Sequence, residues 1–168
     1  MSVLKPMMSV VDSLLREHKD LLAVAERKKD ILIKGDMEAL GHIGREEVAF
    51  VHRIERLEAE RLAAARLLAL RAGVPAEAVK PDTLLRYAAD EAEAAQVSLV
   101  IEDLRSTLDR LKQLNDLNKQ LIEQSLTFIE TTVSQFTESP QVPTYGQSGE
   151  SNSPYERGGR TSFFDSKA

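Results

Sequence analysis

The stretch from Thr83 to Phe136 contains neither proline nor glycine, and apolar residues recur along it at steps of three and four. This spacing places them on one face of an α-helix. An unbroken helix here would be about 80 Å long, which is too long for a compact domain, so we expect a kink near residues 88–95. The apolar stripe comprises Leu104, Leu108, Leu111, Leu114, Leu117, Leu121, Ile122, Leu126, Ile129 and Val133.

The N-terminal part of the chain shows the same spacing. Six of the eight positions in a series of +3 and +4 steps are apolar, which is typical of a helix that faces another helix. Gly35 suits the left-handed position that ends this helix, and Asp36 can cap the next one. So short a break predicts an antiparallel helical hairpin. The eight positions are Met8, Val11, Leu15, His18, Leu22, Ala25, Lys29 and Leu32.

A second helix is predicted from Met37 to Ala72, followed by a short helical turn at residues 76–79. Pro81 and Asp82 then reopen the helix, with Asp82 as the predicted N-cap. No segment alternates apolar and polar residues over a useful length, so we expect no sheet. The sequence therefore predicts an all-α fold: an elongated antiparallel helical hairpin or bundle of three to four helices over residues 1–137.

The composition changes at Glu138. Residues 138–168 hold three of the six prolines and four of the eight glycines, and they show no helical period. We predict a disordered tail. Four of the eight aromatic residues also lie here, which leaves two interpretations open: docking elements that become ordered on contact with a partner, or loose packing on the chain's own helices. These aromatic residues are Tyr145, Tyr155, Phe163 and Phe164.

Charge and composition exclude several classes of protein. The chain has 27 acidic against 22 basic residues, a formal charge of -5, which argues against a nucleic-acid binder. It has no cysteine, so disulfides and thiolate sites are excluded. No apolar run approaches the roughly 18–20 residues of a membrane helix, and no signal peptide is recognisable. We expect a cytoplasmic protein without membrane insertion.

No motif of a known active site is present. The sequence lacks a P-loop, a Gly-x-Ser-x-Gly elbow, a Gly-x-Gly-x-x-Gly fingerprint and a His-Glu-x-x-His zinc motif. Glu38, His42 and Glu46 could share a helix face, but two or three such groups make a weak metal site, and a solvated face is the favoured interpretation. We expect no enzyme activity, no cofactor and no metal.

Polar residues interrupt the apolar stripe of the long helix. Asn115, Asn118 and Ser125 fall on or beside it when one steps by three and four from Leu111. An asparagine at such a position fixes the register between helices at a cost in stability. Alternatively, the face is buried only part of the time and binds another helix. The sequence leaves both interpretations open.

Three segments resemble the FlgN family of flagellar type III export chaperones. They are the hairpin at residues 28–40, the asparagine-containing segment 114–126, and the tail with Thr144-Tyr145-Gly146 and the ending Phe163-Phe164-Asp165-Ser166-Lys167-Ala168. The resemblance spans nearly the whole chain in order. It implies a cytoplasmic chaperone without catalysis that binds the hook–filament junction proteins FlgK and FlgL and delivers them to the export gate.

The resemblance also implies where partners bind. Because the family binds cargo through its C-terminal half, we expect an amphipathic cargo helix to dock on the stripe of the long helix. By the same resemblance, Tyr145 is the candidate for docking to the export gate component FlhA. The expected cargo-binding residues are Leu104, Leu108, Leu111, Leu114, Asn115, Asn118, Leu121, Ile122, Ile129 and Val133.

Other functions fit the same helical pattern. One is a structural coiled-coil protein that self-associates, with the stripe buried in a homodimer; such a protein would form a tight dimer and ignore FlgK. Another is a chaperone for a different flagellar subunit, such as the filament or its cap. A metal-dependent enzyme is a remote third. The sequence does not decide the oligomeric state or the preferred junction protein.

Overall fold

The computed structural model describes residues 2–137 as an all-helical fold, which confirms the predicted class. Three long α-helices account for most of this part of the chain, and it contains no strand. Two short 3₁₀ helices connect the second long helix to the third. The elements are α1 (Lys5–Lys34), α2 (Met37–Ala72), the 3₁₀ helices Ala76–Ala78 and Pro81–Tyr87, and α3 (Glu91–Thr137).

The turn between α1 and α2 has the predicted conformation. Gly35 adopts a left-handed backbone with φ of 72°, and its N–H reaches the carbonyls of Ile31 and Leu32. The Asp36 side chain accepts a hydrogen bond of 3.0 Å from the backbone N–H of Ala39. The last carbonyls of α1 and the first N–H groups of α2 thus both gain partners, and the chain reverses direction within two residues.

Helix α1 lies at the centre of the molecule, because both α2 and α3 pack against it while the contact between α2 and α3 is minor. Residues of α1 and α3 pair in the same order, Lys19 with Asp103 and Ala25 with Asn118. Helix α3 therefore runs parallel to α1, and α2 runs antiparallel to both. All eight positions of the predicted α1 series are buried or half-buried.

The largest hydrophobic core lies at the proximal end, which we define as the end opposite the α1–α2 turn. It joins all three long helices to the 3₁₀ connection. Alanines on α2 let the helices approach closely there, as the Ala- and Leu-rich run at residues 61–72 predicts. The buried members of this proximal core are Leu4, Met7, Val11, Ala65, Leu68, Leu84 and Val97.

The long helix begins later than expected. Residues 81–87 form a 3₁₀ helix, and α3 starts at Glu91, where Asp90 accepts a 2.8 Å hydrogen bond from the backbone N–H of Glu93. The prediction of Asp82 as N-cap is therefore wrong; its carboxylate instead accepts from Arg105 at 2.9 Å. The expected kink near residues 88–95 is a complete break, which lets the 3₁₀ connection fold onto the proximal core through Leu84.

No helix within residues 2–137 is long and apolar enough to cross a membrane. The predicted tail, residues 138–168, with its aromatic residues and Tyr145, lies outside the described residues.

Two glycine substitutions should have opposite effects on stability. A Cβ at Gly35 would meet no atom within 4 Å, so the cost of Gly35→Ala comes from the left-handed backbone and should be about 1 kcal/mol. Gly41 lies inside α2 with equally open space, so Gly41→Ala should raise the free energy of unfolding by about 0.5–1 kcal/mol. Urea denaturation of both variants measures this. Equal shifts in the same direction would contradict the conformational explanation.

Candidate functional site

The apolar face of α3 that packs on α1 continues beyond the point where α1 ends. Leu111 and Leu114 are buried with Ala25 in a small cluster against α1. Further along the same face, the α1–α2 turn meets α3 between Leu121 and Ile129. From residue 130 the helix extends about 12 Å further, since each residue adds about 1.5 Å. Within the described residues, no helix covers this extension.

Several large apolar side chains are exposed at this distal end. Phe136 is 78% exposed, Phe128 73% and Val133 54%, although all three lie on a helix that is otherwise tied to a core. Ile33 and Met37, on either side of the α1–α2 turn, are also exposed and lie next to α3. We call this set the distal apolar surface: Ile33, Met37, Leu126, Phe128, Ile129, Val133 and Phe136.

The part of the distal apolar surface that lies on α3 carries little charge, whereas Lys34, Asp36 and Glu38 flank Ile33 and Met37 at the α1–α2 turn. Glu130 is the one charged residue between Leu126 and Thr137. The remaining polar residues of this segment are four threonines, a serine and a glutamine, and the hydroxyl groups of Thr127, Thr131 and Thr132 donate to carbonyls of their own helix. A partner of the α3 part would therefore be recognised by shape and apolar contact rather than by ion pairs.

The structure divides the predicted stripe residues into two groups. Leu111, Leu114 and Asn118 are buried against α1, and Leu104, Leu121 and Ile122 are half-buried. Leu108, Asn115, Ile129 and Val133 are exposed. All ten residues are predicted to bind cargo, and the exposed group is the one that a partner can reach without a change in helix packing.

The two asparagines of the stripe have different environments. Asn118 is 2% exposed, and its side-chain N–H donates to the carbonyl of Ala25 across the α1/α3 contact at 3.0 Å. Its oxygen Oδ1 is buried and has no hydrogen-bond partner within the described residues. Asn115 is exposed. The register-fixing interpretation therefore agrees with the geometry of Asn118 and not with that of Asn115.

Sequence reasoning missed four members of the distal apolar surface. Phe136 lies three residues after Val133, so one more step of the series would have found it. Phe128 lies on the flank of the stripe, and its exposure depends on where α1 ends. The contribution of Ile33 and Met37 had no sequence signal, because it requires knowing that the α1–α2 turn lies beside α3.

A second concave region lies at the proximal end, where α2 and α3 diverge over α1. It is a cleft of about 390 Å³ with a mainly apolar lining, and Arg61 and Arg105 lie at its edge. Both guanidinium groups are already paired, Arg61 with Glu58 and Arg105 with Asp82. Lys80 also lines the cleft, but the rest of the lining is apolar, so few polar groups converge there to fix a small ligand.

No site for metal chemistry emerges in the part of the chain that the structure describes, where no three His, Asp or Glu side chains are placed to share an ion. In the weak candidate set, Arg45 donates to His42 at 2.7 Å and Arg27 pairs with Glu46. The hydrogen bond and charge of Glu26 raise the pKa of Lys29, which stays protonated at neutral pH.

Comparison with known proteins identifies the family. The family model described as "FlgN protein" matches residues 1–153. The chain therefore belongs to the FlgN family. It is also 24% identical over 151 residues, 90% of each chain, to a protein of Bacillus subtilis (strain 168) named "Uncharacterized protein YvyG". No solved structure matches the chain.

Membership in this family supports a general role as a flagellar export chaperone, a protein of flagellum assembly that binds flagellar subunits. The family is known as non-enzymatic. The helical bundle with an exposed apolar end is consistent with a protein that works by binding.

Charge substitutions should separate the core of α3 from its exposed end. Leu111→Asp would bury a carboxylate against α1 and should lower the free energy of unfolding by about 3 kcal/mol or more. Phe136→Asp, at an exposed position of the same helix, should change it by less than about 0.5 kcal/mol. Denaturant unfolding followed by circular dichroism measures both. A large loss for Phe136→Asp would show that this end is covered in the folded protein.

Proposed function

We propose that this chain is a cytoplasmic chaperone of the flagellar type III secretion system. It binds the hook–filament junction proteins FlgK and FlgL before export and delivers them to the export gate. The observation that carries the proposal is the continuation of the α3 apolar face beyond α1, which leaves Ile129, Val133 and Phe136 exposed. Family membership supplies the biological context.

The proposed occupant of the distal apolar surface is an amphipathic helix of the cargo. Ile129, Val133 and Phe136 follow one another at steps of four and three, which is the spacing that a helix presents to another helix. Ser125 and Thr132, at the same steps from Ile129, leave room for a partner side chain. A cargo helix packed there would extend the interface that α1 begins.

The size of the surface predicts a moderate affinity. Full burial of an isoleucine, valine or phenylalanine side chain contributes about 1.5–3 kcal/mol each, and immobilisation of the partner offsets part of the sum. Three such side chains contribute about 4.5–9 kcal/mol before that offset, and a micromolar dissociation constant needs about 8 kcal/mol net, so they support a dissociation constant weaker than micromolar. Binding of this strength protects an apolar cargo helix and still permits its release at an export gate.

Charges on the distal apolar surface should weaken cargo binding without unfolding the protein. Ile129→Asp with Val133→Asp should weaken binding of purified FlgK and FlgL at least about tenfold, because two apolar contacts are replaced by desolvated carboxylates. Leu99→Asp is the matched control, since Leu99 is 72% exposed on the same helix. Isothermal titration calorimetry measures the affinities.

The result of this titration also decides between the proposed function and self-association. Loss of binding in the double variant, with normal binding by Leu99→Asp, supports the chaperone proposal. A wild-type chain that binds neither junction protein but sediments as a tight dimer, and that becomes a monomer in the double variant, would instead assign the surface to a homodimer.

We also propose that Tyr145 contacts FlhA at the export gate, as the family resemblance implies. Tyr145→Ala should abolish binding to the cytoplasmic part of FlhA, because an aromatic docking residue supplies most of the contact energy of a short segment. Binding of FlgK should remain. Tyr155→Ala, in the same tail, is the matched control. A pull-down with purified FlhA checks the result, and equal losses in both variants would contradict a specific role for Tyr145.

A further inference from the structure

We propose that the contact between α1 and the distal part of α3 opens in the free protein, and that this opening exposes the buried part of the α3 stripe to cargo. The opening itself is a property of the free chain. The link to cargo rests on the proposed function. Four independent features of the α1/α3 contact carry the inference.

The first feature is the unpaired oxygen of Asn118. A buried acceptor without a partner disfavours the closed state relative to an open state in which water reaches it. Asn118 Oδ1 is such an acceptor within the described residues, and Asn118 is 2% exposed. The closed contact thus contains a polar group that is better solvated when α3 moves away from α1.

The second feature is the difference in apolar packing along α1. The proximal core contains seven buried residues and draws on all three long helices. The distal cluster contains three, Ala25, Leu111 and Leu114, and joins only α1 to α3. Because burial of apolar area is the main source of stability, the distal contact holds α3 far less tightly.

The third feature shows which helix moves. Three ion pairs connect α1 to α2, and two of them lie in the distal half: Arg27 with Glu46 and Lys28 with Glu47. Among the described residues, the ion pair between α1 and α3 is Lys19 with Asp103, nearer the proximal core. Helix α1 therefore stays with α2, and α3 is the helix that separates.

The fourth feature is the side-chain chemistry of the last turns of α3. Serine and threonine hydroxyls there donate to carbonyls three or four residues earlier, a pattern that weakens and bends helices. These residues are Ser125, Thr127, Thr131, Thr132, Ser134 and Thr137. A helix that bends easily can leave α1 at its distal end while its proximal end stays packed.

The opening accounts for the buried members of the predicted stripe. Leu111 and Leu114 are buried against α1 in the closed state and cannot contact a partner, and Leu121 is half-buried beside Leu32. Once α3 separates, their face becomes continuous with Ile129, Val133 and Phe136. A cargo helix would then replace α1 on this part of α3. The free energy of its apolar contacts with α3 would offset the free energy lost when α1 and α3 separate.

Amide hydrogen exchange of the full chain, measured by mass spectrometry, tests the opening, because a segment of α3 that has left α1 is a marginally stable lone helix whose amides exchange faster. In the wild-type chain, amides of residues 111–125 should be at least about tenfold less protected than amides of residues 97–108 in the same helix. Asn118→Leu should raise protection of residues 111–125 about tenfold and leave residues 97–108 unchanged, since an apolar side chain replaces the unpaired oxygen. Asn115→Leu, the same substitution at an exposed position, should change neither segment.

Two results would overturn the opening: equal protection along both segments of wild-type α3, or equal effects of Asn118→Leu and Asn115→Leu. For the link to cargo, Asn118→Leu should lower the affinity for FlgK about tenfold, because the binding-competent state is less populated, and Asn115→Leu should not. Unchanged FlgK affinity in an Asn118→Leu chain with raised protection would overturn that link. Failure of the wild-type chain to bind FlgK or FlgL would contradict the proposed function, while the exchange pattern still decides the opening.

Discussion

The packing of α1 against two helices is the interaction on which the rest of the structure depends. Because α2 and α3 hardly touch each other, each is held in place by its own contact with α1. Helix α1 can contact both because its buried apolar residues cover a face wider than a single seam. Met7 and Leu14 are buried as well as Val11 and Leu15. A wide apolar stripe on the central helix is what allows three helices to form one molecule with so few contacts between its outer members.

The two ends of α1 differ in what they offer to α3. At the proximal end, large apolar residues of three helices and the 3₁₀ connection fill one core. At the distal end, Ala25 of α1 packs against α3. The side-chain N–H of Asn118 on α3 donates a hydrogen bond to the Ala25 carbonyl. Such a contact specifies register more than it adds stability. A few side chains therefore explain why α3 is packed firmly on α1 at the proximal end and weakly at the distal end.

Most of the fold could be predicted from local chemistry, because helix periodicity and turn residues act locally. The α1–α2 turn followed from Gly35 and Asp36, and α2 has the predicted bounds. The start of α3 could not be predicted in the same way: residues 88–95 are mostly good helix formers, and the break before Glu91 accompanies the burial of Leu84 in the proximal core, which is a tertiary contact. The stripe on α3 was also visible, but its division into buried and exposed parts depends on the length of α1, which is a tertiary property.

The difference in length between α1 and α3 turns a packing face into a surface. Where α1 covers the apolar stripe of α3, the stripe is part of a core. Beyond the end of α1, the same stripe has no helix packed against it within the described residues. Because Glu130 is the one charge on α3 between Leu126 and Thr137, this part of the helix adds little electrostatic steering, and it selects a partner by the spacing of its apolar side chains. Recognition by spacing accepts related amphipathic helices, which is what one protein needs if it is to bind more than one flagellar subunit. Without ion pairs, the affinity for a cargo helix depends on the apolar area that it buries on α3. A third protein that displaces part of the cargo helix would therefore lower that affinity in proportion to the area it exposes.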